Sequence, residues 1–229
     1  LLSLMDAIVI LFLIAFFISL LGLTILILLV HSGLLFEPVV SEGEPHLCAE
    51  AKIVYKIVEE EHSSENLGYY FNEITSIITK AYPMAIFLEC PSGIGKFSKC
   101  AVGCIISLKH ADEEESEMLV TYDELKLLFD KGYTPFVLPR IERGLISWFP
   151  YRTPFSIWFA SRRVYKKMNS FIEQGKIKPF PFLEFYKDCK IYYFAPLEKQ
   201  EQCLLSEFTQ NSSDVENKPP VTEEAEIKH

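Results

Sequence analysis

The six cysteines of this chain, Cys48, Cys90, Cys100, Cys104, Cys189 and Cys203, include no CxxC pair and no zinc-ribbon spacing. That removes the usual cysteine-based metal and redox motifs and leaves buried thiols in a reducing compartment as the expectation. No metal-ligand cluster and no nucleophile–base pair stands out, because His46, His62 and His110 fall in expected loops or termini. No metal or other cofactor is expected, and catalysis is not. Basic charge is short as well. Residues 32–229 carry 22 Lys and Arg against 30 Asp and Glu (31 in all, less Asp6), a net charge of −8. That balance argues against direct nucleic-acid binding and against general attraction to anionic lipid.

Charge is missing altogether from one long stretch. Ala7 to Val30 holds 24 residues without a charged side chain, 19 of them Leu, Ile, Phe or Val. As a helix it spans about 36 Å, enough to cross a hydrocarbon core of about 30 Å. Its insertion term is on the order of −6 to −11 kcal/mol. The apolar region of a cleaved signal is shorter, roughly 7–15 residues behind a basic segment, so a retained signal anchor is expected over residues 7–30. No second run reaches this length. Basic residues near the run are too few to orient it, since the first after His31 is Lys52. Asn211-Ser212-Ser213 is a glycosylation acceptor used only on the lumenal side.

Residues 31–51 read as a juxtamembrane linker, a tether reaching within about 70 Å of the bilayer. Residues 198–229 read as a disordered acidic tail, poor in large apolar side chains. Between them, residues 52–197 read as one α+β domain built from a duplicated unit of strand, helix, strand, strand. The first unit has a strand at Ile53–Val58 and a helix on which Leu67, Tyr70, Phe71, Ile74, Ile77, Ile78 and Ala81 recur at threes and fours. Strands at Met84–Leu88 and Ala101–Leu108 follow. A short helix, Tyr122 to Lys131, ends at Gly132, and a strand at Thr134–Leu138 follows it. The second unit has a strand at Leu145–Pro150 and a helix whose apolar stripe runs through Ile157, Trp158, Val164, Tyr165, Met168, Phe171 and Ile172. A hairpin of Phe182–Tyr186 and Ile191–Ala195 closes it. Ile74 and Trp158 are expected on the buried faces of the two main helices. A sheet with helices on one face has its natural pocket on the concave side between its halves.

Certain stretches carry a family likeness. Leu183-Glu184-Phe185-Tyr186 and Ile191-Tyr192-Tyr193-Phe194-Ala195-Pro196-Leu197 resemble the close of the GyrI-like domain, a small-molecule binder of bacterial multidrug-sensing regulators. Lys99-Cys100-Ala101-Val102-Gly103, Phe149-Pro150-Tyr151, Ser156-Ile157-Trp158, Ala160 and Arg162-Arg163-Val164 stand in order behind the apolar run. Together they resemble the membrane-anchored testis-expressed protein 264 family over residues 7 to about 200. The resemblance implies a single-pass resident of the endoplasmic reticulum membrane with a GyrI-like domain and tail in the cytosol. It implies a receptor for selective autophagy of the reticulum (reticulophagy), whose tail docks on Atg8/LC3-class proteins through an aromatic-x-x-aliphatic motif. It also implies a link to the valosin-containing AAA ATPase. The alternative is a small-molecule or lipid-sensing module at the membrane, or an adaptor for that ATPase. The tail departs from the pattern: its last aromatic, Phe208, has Asn211 at the fourth position.

Four groups of residues are candidates for function. By the same resemblance, Glu184 matches a pocket glutamate that meets cationic ligands, and Trp148, Tyr151 and Tyr186 are candidate walls. The plainer alternatives are a solvated or arginine-paired carboxylate and ordinary core aromatics. Arg162, Arg163, Lys166 and Lys167 form a basic patch for phosphate, lipid headgroups or an acidic segment, or a solvated face neutralised by Asp112 to Glu117 or the tail. Tyr122 and Leu125 have the spacing for Atg8-type docking, but both are expected to pack against the sheet.

Overall fold

The computed structural model describes residues 4–45, 50–59, 64–88, 91, 99–109 and 116–205. It opens with α1, Leu4–His31, a helix apolar on every side. Such a helix has no solvated face to offer, and the folded domain buries none of its apolar window. Then follow β1 (Ser41–Gly43), β2 (Glu50–Glu59), α2 (Ser64–Ile77), β3 (Tyr82–Phe87), β4 (Lys99–Lys109), β5 (Glu117–Met118) and α3 (Tyr122–Asp130). β6 (Thr134–Leu138), β7 (Gly144–Pro150), α4 (Pro154–Gly175), β8 (Phe182–Lys187), β9 (Lys190–Pro196) and a 3-10 turn, Gln200–Cys203, complete the chain.

All strands join one antiparallel sheet in the order β1-β7-β9-β8-β3-β4-β2-β6, with β5 added alongside β4. The duplication is visible in that order. Each unit, β2-α2-β3-β4 and β7-α4-β8-β9, lays its last strand between its first two. The units meet where β3 pairs β8, with Ala85 opposite Glu184 and Ile86 opposite Leu183.

Strand alternation sorts the core onto two faces. Val54, Val58, Ala85, Phe87, Cys100, Val102, Cys104, Leu145, Phe149, Ile191 and Tyr193 face α2, α3 and α4. Ile53, Tyr55, Met84, Ile86, Ala101, Ile105, Leu183, Phe185 and Phe194 face the other way. Leu138, Ile141, Cys203 and Leu205 cover that second face. The first residues of the expected tail are therefore part of the fold. Residues 198–205 pack on the sheet, with Cys203 and Leu205 fully buried.

Residues 31–51 differ more. Leu34, Phe36 and Val40 pack against the core, Phe36 lies 5.2 Å from the Phe149 ring, and β1 pairs the edge of β7. Far from hanging free, the segment after α1 is part of the domain. Gly33 makes the turn possible. Its φ is +98°, and a Cβ there would lie 2.7 Å from the Phe149 ring.

On α4, Ile74's counterpart is not Trp158. Ile74 is fully buried, whereas Trp158 is 44 % exposed and Ile157 40 %. The buried stripe of α4 starts at Ser156, Phe159 and Ala160. Residues 33–36 cover that side of the first turns, with Arg163 donating to the Phe36 carbonyl at 2.8 Å, so the stripe is rotated from where periodicity alone put it.

Candidate functional site

Glu184 sits in mid-β8, at the seam between the two units. Alternation turns it with Phe182 and Tyr186 toward the helices, opposite to Leu183 and Phe185. It is neither solvated nor arginine-paired. It is 7 % exposed, and its oxygens accept from the Tyr165 hydroxyl of α4 and the Tyr186 hydroxyl at 3.3 Å. Tyr193 faces it across the β8–β9 ladder. Among the described residues no cation forms an ion pair with it.

Burial pushes the Glu184 carboxyl up to about 7, although hydrogen bonds from Tyr165 and Tyr186 pull it down. Burial likewise raises the Tyr186 and Tyr193 phenols, with help from Glu184. Cys100 beneath is pushed up to about 12 by burial and then by Glu184, so it is an inert thiol at neutral pH.

Aromatic rings enclose the acid. Tyr165 lies 5.4 Å from Tyr193 and 6.4 Å from Phe87. Tyr186 lies 5.2 Å from Phe71 of α2 and 5.4 Å from Tyr151, which is 36 % exposed. Chemically, this is a carboxylate poised to ionise near neutral pH inside a ring of π faces. That environment favours a cation over an anion. The Tyr165 and Tyr186 hydroxyls occupy the carboxylate, so a cation reaching it has to displace one of them.

The sequence-expected wall is thus assembled in part. Tyr151 and Tyr186 stand beside Glu184, but Trp148 does not. It alternates with Phe149 and faces away, where it meets the Phe36 ring at 4.7 Å, tilted by 52°, under the Lys190 ammonium. Tyr165, Tyr193 and Phe71 were not singled out from sequence. Their only signal was helical or strand spacing, which core residues share. A small cavity on the opposite face holds none of the expected pocket residues. It is an apolar cavity of about 50 Å3 lined by Met84, Ile105, Leu138, Leu183, Phe185 and Phe194, with no charged group.

The basic patch is divided. Arg163 donates to the carbonyls of Gly33 and Phe36, and Lys167 pairs with Glu37 at 3.1 Å. The segment leaving α1, rather than Glu117, neutralises this half. Arg162 stacks over Trp158 at 4.3 Å, and Lys166 is exposed.

Tyr122 is a correction. It is 80 % exposed at the start of α3, while only Leu125 packs on the core. A capping box holds the helix: Glu124 accepts from the Thr121 amide at 2.7 Å and from the Thr79 amide at 3.1 Å. The pair is therefore helical, not extended. Among the described residues no group of three or more His, Cys, Asp or Glu is placed to hold a metal ion. His46, His62, His110, Cys48, Cys90, Asp112 to Glu115, Phe208 and Asn211 lie outside the described residues.

No protein-family model matches the chain. It is 34 % identical over 172 residues to the testis-expressed protein 264 homolog of Mus musculus, covering 74 % of this chain and 52 % of that one. It is 31 % identical over 193 residues to testis-expressed protein 264 of Homo sapiens, covering 78 % and 56 %. The chain spans about half the length of the curated relatives it matches. Among solved structures it is similar to the EcmrR C-terminal domain, with a TM-score of 0.43 and 13 % identity over 72 % of this chain and 99 % of that one. A likeness of that size says nothing of what either protein binds.

Proposed function

Because the chain belongs to the testis-expressed protein 264 family, we propose that it is a single-pass protein of the endoplasmic reticulum membrane. Its domain and tail face the cytosol, and it acts as a receptor or adaptor in selective autophagy of that membrane. The observation that supports this reading is α1, an apolar stretch at Ile8–His31 that, apart from Leu29, the domain leaves exposed and that runs straight into the folded part. The mechanism is tethering. The helix marks the membrane, and a segment of extended chain recruits Atg8/LC3-class proteins by adding a strand to them. No catalytic step is part of it. Starvation-induced turnover of a reticulum reporter tests the role: it slows when the chain is deleted and recovers when the chain is restored. Unchanged turnover overturns the role. Topology is tested separately. A glycosidase-sensitive mass shift that disappears in Asn211→Gln places the tail in the lumen and overturns the orientation.

Glu184 favours a second reading, a sensor for a small organic cation. A quaternary ammonium ion is the simplest probe, since π faces and a carboxylate are its usual partners. The sensor predicts a raised melting temperature of the full chain with that ion, absent in Glu184→Gln. No shift in either protein removes the sensor and leaves the receptor standing.

A further inference from the structure

Resting on the membrane-spanning reading of α1, we propose that the first turns of α4 lie in the headgroup region of the same bilayer, so that the domain is held against the membrane surface. The placement follows from one junction. Ser32 comes directly after α1, and its hydroxyl bonds the Thr153 hydroxyl at 2.6 Å. Thr153 is the N-cap of α4. The start of α4 is therefore pinned at the point where the chain leaves the membrane.

What α4 exposes there suits an interface. Phe155, Trp158, Arg162 and Lys166 are spaced three, four and four apart and share one solvent-facing stripe. The two aromatics come first, 50 % and 44 % exposed, and the two bases follow. Aromatic rings with a wet edge collect at the headgroup level, and bases beyond them meet lipid phosphate. Arg162 stacked on Trp158 ties the two kinds of contact together. Arg163 and Lys167, turned to the other side, are already used by residues 33–37, which clamp the helix in place. The net charge of the chain does not oppose this, because screening confines lipid electrostatics to about a Debye length of roughly 8–10 Å.

The test uses the full chain with Trp148→Phe, which leaves Trp158 as the remaining one of its two tryptophans. It is reconstituted in vesicles of phosphatidylcholine and phosphatidylserine, with and without lipids brominated high on the acyl chain. The expected result is blue-shifted Trp158 emission, most of it lost to bromine. Adding Phe155→Asp, or Lys166→Glu as an independent variant, reverses the loss. Emission unmoved by bromine in a chain that resists carbonate extraction overturns the docking and leaves the span intact. A blue shift that ignores bromine and fades as protein is diluted in lipid assigns the face to a second copy and overturns the proposal. A chain stripped by carbonate overturns the span itself and the docking with it.

Discussion

Ser32 and Thr153, 121 residues apart, share a hydrogen bond of 2.6 Å between their side-chain hydroxyls. Ser32 is fully buried and its hydroxyl also reaches the Leu28 carbonyl at 2.6 Å. This links the last turn of the apolar helix to the first turn of α4. Thr153→Val deletes the partner while keeping the shape. It is expected to lower stability by about 1–2 kcal/mol, read as an earlier melt of the full chain in detergent and faster proteolysis within residues 33–40.

Gly33 should be the more sensitive half of the same junction. With φ at +98° and the Phe149 ring 2.7 Å from any added Cβ, Gly33→Ala combines backbone strain with a clash. A loss of roughly 1–3 kcal/mol is expected, and an unchanged melting curve would mean that the exit turn is not packed as described.

The two main helices offer a paired comparison. Ile74→Ala removes a fully buried side chain and should cost about 2–5 kcal/mol. Trp158→Ala, at an exposed position, should stay within about 0.5 kcal/mol in detergent-free folding of the domain. Equal losses from both would contradict the rotated stripe on α4.

Glu184 sets a pH dependence opposite to the usual acid. Its folded value of about 7 lies above the ordinary 4.5, so the folded state holds the proton more tightly than the unfolded one. Stability from this group is therefore full below pH 4.5 and falls as pH rises toward 7. Denaturation midpoints at pH 5 and pH 8 measure it, and Glu184→Gln should flatten the difference over this window. Glu73, despite some burial, is held low by Lys131 and Tyr133. Its contribution is lost only below pH 4.5, outside the window.

The Tyr122–Leu125 pair is expected to bind an Atg8-type protein weakly. Docking of this kind requires an extended strand, whereas the Thr121–Glu124 box keeps α3 helical. Thr121→Ala weakens the cap by about 1 kcal/mol and should strengthen any such binding. Calorimetry showing micromolar affinity in the native chain, lost in Tyr122→Ala, would make this segment the docking site.

Periodicity made most of the fold legible. The two strand-helix-strand-strand units follow from spacings of two and 3.6, which each segment carries within itself, and the apolar helix from a run that holds no charge. Glu184 was legible as a candidate through the resemblance of Leu183-Glu184-Phe185-Tyr186 to the close of the GyrI-like domain. Tyr186 was legible with it, but Tyr165 and Tyr193 were not, since both look like any core aromatic until α4 is laid over β9.

The sequence by itself determined which residues could be buried and in what elements, because hydrophobic alternation is a local property. Only tertiary structure decided which of them were. Trp158 and Ile157 fit an apolar stripe, yet the segment after α1 covers the neighbouring side of α4 and leaves them outside. Residues 32–43 look like a linker because they have no periodicity of their own. They are ordered by the β7 edge and the Phe149 ring, partners more than 100 residues away. A contact of that kind is made by the packing of distant surfaces, and no window of sequence contains both of its halves.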